Sequence, residues 1–260
     1  LLFLYGNGRN GKSTFTGVLE KLISPYWIKS RADLLMATRR GEPRQGPTPE
    51  LVRMRGKRLV TVSEVQQDHR LHEALIKDLT GGDAITGRNL YENEITFQPS
   101  HKIWMYGNHK PEIKGTDLGI RRRVKLIPFD QQLAAEDVDT SLPEKLEAEL
   151  PGIMAWAVQG CLKWQKSGLG DPAEIRQATD DYFAENDTVC RFIDECCKAA
   201  LPGFGDFTSV VFEKYKLWCK DETEDPIKQK SFSIDLKRRG YEITRHSSGK
   251  SMFSALEIIK

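Results

Sequence analysis

The sequence predicts an α/β protein with a mainly parallel sheet, followed by a helical segment and a small C-terminal domain. Three observations lead to this class. A glycine-rich loop stands between an apolar strand and an amphipathic helix within residues 1–23. Further apolar strands follow, separated by helices and loops, as is typical of parallel sheets. The last part of the chain, from residue 207, shows the pattern helix, helix, strand, strand.

The first segment contains a complete strand, loop and helix. Residues 1–5 are apolar and predict a buried strand. Residues 6–13 then match the spacing Gly-x-x-x-x-Gly-Lys-Ser of phosphate-binding loops. The helix that follows has apolar residues on one face, at Phe15, Val18, Leu19, Leu22 and Ile23. The three elements occur in the order that a phosphate site requires.

The loop has the chemistry to hold a triphosphate. Glycines let the backbone N–H groups and the helix N-terminus converge on one anion. Lys12 is expected at the β and γ phosphates, and the Ser13 hydroxyl is expected to bind Mg²⁺. The predicted ATP-binding residues are Gly6, Asn7, Gly8, Arg9, Asn10, Gly11, Lys12, Ser13 and Thr14.

The rest of the core is expected to alternate strands and helices. Residues 41–49 are rich in Gly and Pro and predict a surface loop. A helix is expected at residues 70–79. Strands are expected at residues 58–63, 102–107 and 124–129, and two short strands at 85–90 and 94–97 form a hairpin candidate.

The second half is predicted to be mostly helical. Residues 142–162 fit one or two helices, broken or kinked at Pro151 and Gly152. Residues 167–172 form the clearest linker, and residues 173–200 are again helical. The final helices (210–219 and 231–239) and strands (241–245 and 252–258) give the outline of a winged helix. We therefore expect a core at 1–140, a helical extension and linker at 141–170, and a C-terminal domain at 171–260.

Composition limits the possible functions. Lys and Arg number 39 against 37 Asp and Glu, so any DNA contact must come from local basic clusters. No apolar run approaches the ~18 residues of a membrane span and no signal peptide is visible, which predicts a cytoplasmic protein without a membrane partner. Five cysteines without C-x-x-C spacing favour neither a disulfide framework nor a zinc site. The chain begins inside a strand without a methionine, and we expect it to be a fragment.

Four separated segments resemble one family. They read GNGRNGKST, RLVTVSE, LTGGDAITGRNLY leading to WMYGNHKP, and IRRRVKLIPF. Together they are similar to the superfamily 3 helicase domain of phage and plasmid primase-helicases, like the poxvirus and satellite-phage enzymes. The resemblance implies an AAA+ type P-loop core, a homohexameric ring around DNA, and an upstream primase region in the same chain. It also implies a location in the host-cell cytoplasm or in association with a virus.

The resemblance assigns three further catalytic residues. Glu64 matches the acid that binds Mg²⁺ through water and orients the attacking water. Asn108 matches the polar sensor of the γ phosphate, although an Asn that only opens a turn is the alternative. Arg122 stands at the position of the arginine finger that acts on the neighbouring subunit's ATP. Arg121 and Arg123 complicate this assignment, because one of them could pair with a carboxylate in the interface, and a solvated strand edge is the alternative for all three. Gln66 and Gln67 stand where the family often has a second acid, which leaves open which residue activates the water.

DNA contact is assigned to two regions. Lys77, Arg88 and Lys102 lie in the segment that resembles the family's DNA-reading hairpin. Tyr91 is a possible stacking residue there, whereas core packing is the favoured role of Phe97. The hairpin tip is acidic, where a loop that follows phosphates should be basic. The predicted winged helix has basic residues that either bind DNA or form a solvated face, at Lys228, Lys230, Lys237, Arg238, Arg239, Arg245 and Lys250.

The sequence thus favours an ATP-dependent DNA helicase module of a mobile-element replication protein, acting on single-stranded or forked DNA. Two alternatives stay open. One is a monomeric P-loop phosphotransferase, which has no use for an arginine supplied by a neighbour. The other is a replication-initiation scaffold that binds DNA through the winged helix and uses ATP only to assemble.

Overall fold

The computed structural model describes residues 1–37, 46–63, 69–114 and 118–259. The chain divides into two compact units, Leu1–Phe183 and Ala184–Lys260. The division falls after the predicted linker at 167–172, because Tyr182 and Phe183 are buried in the core of the first unit.

The first unit is built on a parallel sheet. Its strands are, in chain order, β1 (Leu2–Tyr5), β2 (Trp27–Ser30), β3 (Leu59–Ser63), β4 (Ile85–Gly87), β5 (Ile95–Phe97), β6 (Lys102–Gly107) and β7 (Lys125–Pro128). Five of them form one sheet in the order β2-β3-β6-β1-β7, and every neighbouring pair in it is parallel. The remaining two, β4 and β5, form the predicted antiparallel hairpin. The α/β class with a parallel sheet is confirmed.

The edge strand β2 is absent from the sequence-based prediction. It has only four residues, and none of them is fully buried. A short, half-exposed edge strand has no continuous apolar run, so its pattern resembles a loop. In contrast, β3 buries four consecutive residues.

The first unit also contains α-helices. They are α1 (Lys12–Leu22), α2 (Pro49–Arg53), α3 (Glu73–Gly81), α4 (Leu118–Arg121), α5 (Leu142–Ala148), α6 (Leu150–Ser167) and α7 (Ala173–Glu185). The break between α5 and α6 lies at Glu149, not at Pro151 and Gly152 as expected. Pro151 instead occupies the first turn of α6, where the missing N–H has no intrahelical partner to lose.

The core of the first unit lies between the sheet and the buried faces of α2, α3, α4 and α7, whereas α5 and α6 have no buried residue. Phe3, Val60, Val62 and Met105 come from the strands and are almost completely buried. The hydroxyl of Thr179 in α7 accepts a hydrogen bond from the N–H of Leu126 in β7 (3.0 Å), which attaches this helix to the sheet.

The second unit has its own core. Its elements are α8 (Thr188–Cys196), β8 (Cys197–Ala199), α9 (Thr208–Asp221), α10 (Gln229–Arg238), β9 (Ile243–Arg245), β10 (Ser251–Phe253) and β11 (Leu256–Ile258). Buried rings fill the centre, and the rings of Tyr215 and Phe232 stack at 4.5 Å. The single strand expected at 252–258 is two strands, since Ala255 adopts a positive φ of 66° between them. β10 pairs with β9, and β11 pairs with β8.

Within the described ranges, no helix has both the length and the apolar character needed to cross a membrane.

Candidate functional site

The glycine loop, residues 6–13, connects β1 to α1. A side chain at Gly6 would clash with the carbonyl oxygen of Phe129 and come within 2.6 Å of the Asn10 amide nitrogen. Gly11, at the N-cap of α1, has a φ of 82°, which glycine adopts without strain. The side-chain amide of Asn10 donates to the Phe129 carbonyl (2.8 Å) and so attaches the loop to the end of β7.

The ammonium of Lys12 lies inside this loop. It donates to the carbonyl oxygens of Gly6 (2.6 Å) and Asn7 (3.1 Å) and to the side-chain oxygen of Asn10 (2.9 Å). Only 5% of Lys12 is exposed, and this burial lowers its pKa from the ordinary value. Among the described residues, this buried cation is held by neutral oxygens, and an anion at the loop would supply a counter-ion.

The N-terminus of α1 fits an anion for a second reason. No side chain caps it, so the N–H groups of its first turn stay available. Ser13 and Thr14 lie in that turn, and Ser13 is exposed. The residues present therefore fit a phosphate group, and the Ser13 hydroxyl can reach a cation bound to it.

A cavity of about 990 Å³ lies over this loop at the carboxyl edge of the sheet. It is lined by Gly8, Arg9, Asn10, Gly11, Lys12, Ser13, Thr14, Lys29, Ser63, Tyr106, Gly107, Asn108 and His109. The cavity therefore brings most of the predicted ATP-binding residues together with Asn108. Gly6 and Asn7 do not line the cavity, but their carbonyl groups accept hydrogen bonds from the Lys12 ammonium.

Of the two residues predicted to position water, the structure describes Asn108 but not Glu64. Asn108 follows β6 directly, is exposed, and lines the cavity. Glu64 lies outside the described residues, as do Gln66 and Gln67. The residue before it, Ser63, ends β3 and lines the cavity.

The three arginines before β7 have different environments. Arg121 pairs with Asp180 (2.7 Å) and lies over the ring of Phe183. Arg123 donates to the carbonyl of Gly119 (2.8 Å). Arg122 is exposed, and within the described part of the chain its guanidinium has no hydrogen bond or ion pair.

The position of Arg122 in the sheet restricts what it can reach. It precedes β7 and therefore lies at the amino edge, whereas Lys12 and Asn108 lie at the carboxyl edge. At ~3.3 Å per residue, the four residues of β7 separate these edges by about 13 Å. Arg122 therefore lies at the edge of the sheet opposite to the edge that carries its own chain's glycine loop.

The candidate DNA-binding cations lie on different elements and outside the residues that line the cavity. Lys77 is half-buried in α3, Arg88 is exposed just after β4, and Lys102 is exposed at the start of β6. Tyr91 at the hairpin tip is 97% exposed. Phe97 is buried in the core, so its expected packing role is confirmed.

Five cavity residues were not among the predicted site residues: Lys29, Ser63, Tyr106, Gly107 and His109. Ser63 and Tyr106 stand at or next to the carboxyl ends of predicted strands, and this position could have identified them as residues of the site. Lys29 belongs to β2, which the sequence pattern did not reveal.

The comparisons with known proteins relate this chain to viral relatives. It is 30% identical over 209 residues to "Putative helicase L207/L206" of Acanthamoeba polyphaga mimivirus, covering 74% of this chain and 22% of that protein. It is 26% identical over 238 residues to "Putative helicase 022R" of Frog virus 3 (isolate Goorha), covering 80% and 24% respectively. The chain thus spans between a fifth and a quarter of the length of these relatives.

Two further comparisons found a family model and solved structures. The family of unknown function DUF5906 matches residues 4–123. Two apo structures of the NrS-1 C-terminal region align over 98% of this chain and 66% of theirs, with TM-scores of 0.46 and 0.48 at 10% and 12% identity. The parallel α/β sheet with its glycine loop is compatible with a P-loop-like core, and the chain is similar to viral proteins named as helicases.

Proposed function

We propose that this chain is the ATP-driven DNA helicase module of a viral or other mobile-element replication protein. One observation carries the proposal: a single cavity contains the glycine loop with Lys12 and Ser13, the end of β3, and Asn108. An NTPase needs a phosphate cradle, a metal ligand and a water-positioning group at one edge of the sheet, and this cavity has candidates for each. The similarity to viral proteins named as helicases supports the coupling of this NTPase chemistry to DNA unwinding.

The order of the sheet supports an AAA+ core of the superfamily 3 type. β1, which leads into the glycine loop, lies between β6 and β7, and β3 lies on the far side of β6. Parallel strands place their carboxyl ends at the same edge. The ends of β1, β3 and β6 therefore face the same bound triphosphate.

Within that site each residue has one task. Lys12 leaves the loop carbonyls to bind the β and γ phosphates. Ser13 and Glu64 would hold Mg²⁺, which would neutralise charge that develops on the phosphates. Asn108 donates its amide to the γ phosphate or to the attacking water. Together they orient an in-line attack.

Arg122 completes the site of an adjoining copy. It is exposed, its guanidinium has no partner among the described residues, and it lies on the edge opposite its own glycine loop. Such an arginine can act on ATP only from a neighbouring subunit, as in a ring, and a finger of this kind contributes about 10³-fold or more to turnover. We propose a homohexamer of this type.

DNA would bind in two places. Lys77, Arg88 and Lys102 supply cations in the first unit, and the second unit would act as a winged-helix-like module. In the second unit, basic residues are exposed along α10 and β9, at Lys230, Lys237, Arg238 and Arg245. We propose an upstream primase region in the full-length protein and a cytoplasmic or virus-associated location.

The test is DNA-stimulated ATP hydrolysis together with strand displacement on forked DNA. Lys12→Ala should abolish both activities. Lys57→Ala is the matched control, because Lys57 precedes β3 at the amino edge and its ammonium donates to the carbonyl of Pro25 (3.1 Å), away from the cavity. Unwinding by Lys12→Ala at the rate of the unmodified chain would refute the proposal.

A further inference from the structure

Lys29 is a second lysine at the nucleotide cavity, and it comes from the edge strand that the sequence did not reveal. It lines the same cavity of about 990 Å³ as Lys12 and Asn108. Its side chain is exposed, and it has no hydrogen bond or ion pair among the residues that the structure describes. The nearby carboxylate of Asp33 is already paired with Arg31 (3.4 Å).

The register of the sheet places Lys29 on the same face as α1. Lys29 lies beside Thr61 in the parallel pair of β2 and β3, so the two side chains point to one face. The Thr61 hydroxyl donates to the carboxylate of Glu20 in α1 (3.0 Å), which identifies that face. It also accepts from the ring N–H of Trp27 (2.9 Å), two residues before Lys29.

Lys29 approaches the cavity from the side opposite to the glycine loop. In the sheet order, β3 and β6 separate β2 from β1. Strands lie about 4.8 Å apart, so Lys29 faces the glycine loop across the ends of β3 and β6. Ser63 and Asn108 lie at those two ends. A phosphate chain that begins at the N-terminus of α1 and crosses these two strand ends would extend toward Lys29.

We propose that Lys29 binds the terminal phosphate of the nucleoside triphosphate and lets the site distinguish a triphosphate from a diphosphate. The proposal rests on the proposed function, because it needs a nucleotide held by the glycine loop. Lys12 bonds the phosphates at the loop side, and Lys29 bonds the γ phosphate from the β2 side. A diphosphate held by α1 and Lys12 ends short of Lys29.

The measurement is the binding of a non-hydrolysable ATP analogue and of ADP by the whole chain and its variants. Lys29→Ala should weaken binding of the analogue about tenfold, the value of one charged hydrogen bond, and leave ADP binding within about twofold. Lys29→Arg should restore most of the discrimination, because it keeps the charge. Lys57→Ala, at the other edge of the sheet, should change neither affinity.

Each outcome decides a different point. If the unmodified chain binds neither nucleotide, the proposed function fails and this inference fails with it. If the chain binds both and Lys29→Ala keeps the ratio of the two affinities, the inference alone is overturned.

Discussion

Gly6 is the residue of the loop where a side chain costs most. Its α-hydrogens face the carbonyl of Phe129 and the amide of Asn10, which leave no room for a methyl group. We predict that Gly6→Ala lowers the free energy of unfolding by about 2 kcal/mol or more and weakens ATP binding, since the loop must shift away from β7. Thermal unfolding and nucleotide titration measure the two effects.

Gly8→Ala is the matched control for that prediction. Apart from its own chain neighbours, no described residue has an atom within 4 Å of a side chain built there. Its unfolding temperature should therefore stay close to that of the unmodified chain. An equal loss of stability in both variants would contradict the steric explanation.

His101 makes the first unit sensitive to acid. It is 5% exposed, and neither ring nitrogen has a hydrogen-bond partner among the described residues. Burial, with a smaller effect of the Lys102 charge, lowers its pKa from 6.5 to about 4. The unfolded chain therefore binds a proton at a higher pH than the folded chain does.

We predict a loss of stability between pH 6.5 and pH 4 for this reason. Above pH 6.5 His101 is neutral in both states and has no effect on the pH dependence. As the pH falls toward 4, the unfolded state gains up to about 3 kcal/mol from protonation. His101→Leu loses no hydrogen bond and should flatten the dependence in denaturant titrations of the first unit. If the pH dependence of stability is the same in His101→Leu as in the unmodified chain, other groups cause it.

At the level of elements, one ionic contact connects α8 to α10. Asp187 caps α8 by accepting from the N–H of Cys190 (2.9 Å), and it also accepts from Arg239, the C-cap of α10 (2.7 Å). Arg239 donates to Asp235 as well (2.9 Å). Burial disfavours the charge on Arg239, but its bonds with the two aspartates outweigh burial and raise its pKa.

We predict that Asp187→Ala destabilises the second unit by about 2–3 kcal/mol. The variant loses a helix cap, worth about 1 kcal/mol, and leaves a half-buried arginine with one carboxylate instead of two. Glu213→Ala is the control, because the Glu213–Lys216 pair is exposed and should contribute less than about 0.5 kcal/mol. Urea unfolding followed by the fluorescence of Trp218 would report both, and similar losses would contradict the prediction.

At the level of the assembled molecule, the positions of Lys12 and Arg122 predict complementation. If Arg122 acts in the neighbouring subunit, Lys12→Ala and Arg122→Ala are each inactive alone. When the two variants are mixed, some subunit junctions have an intact Lys12 on one side and an intact Arg122 on the other. ATP hydrolysis should therefore return partly on mixing, in proportion to those junctions.

Arg121→Ala is the control for the mixing experiment. Arg121 pairs with Asp180 inside its own chain, so its loss should not be rescued by a second variant. Mixtures of Lys12→Ala and Arg122→Ala that stay inactive, although both proteins assemble, would contradict the shared site.

Much of this arrangement could be predicted from local pattern. The apolar runs of β1, β3 and β6, the glycine spacing of the loop, and the helical period of α3 each depend on neighbours within a few residues. For the same reason Asn108 and the end of β3 could be predicted at one edge, since parallel strands end together. The boundaries of β10 and β11 could not, because they depend on pairing with two different distant strands.

The sequence by itself determined the glycine loop, the helix after it and the parallel class of the sheet, because backbone sterics and apolar periodicity act locally. Only the tertiary structure decided that β2 exists and that Lys29 lines the cavity. It also decided that Arg122, alone of the three adjacent arginines, has a guanidinium without a partner in the described part of the chain. The tertiary structure also decided that Lys12 and Arg122 lie at opposite edges of the parallel sheet. These features arise from strand order and from contacts between residues far apart in the chain, which no local pattern encodes.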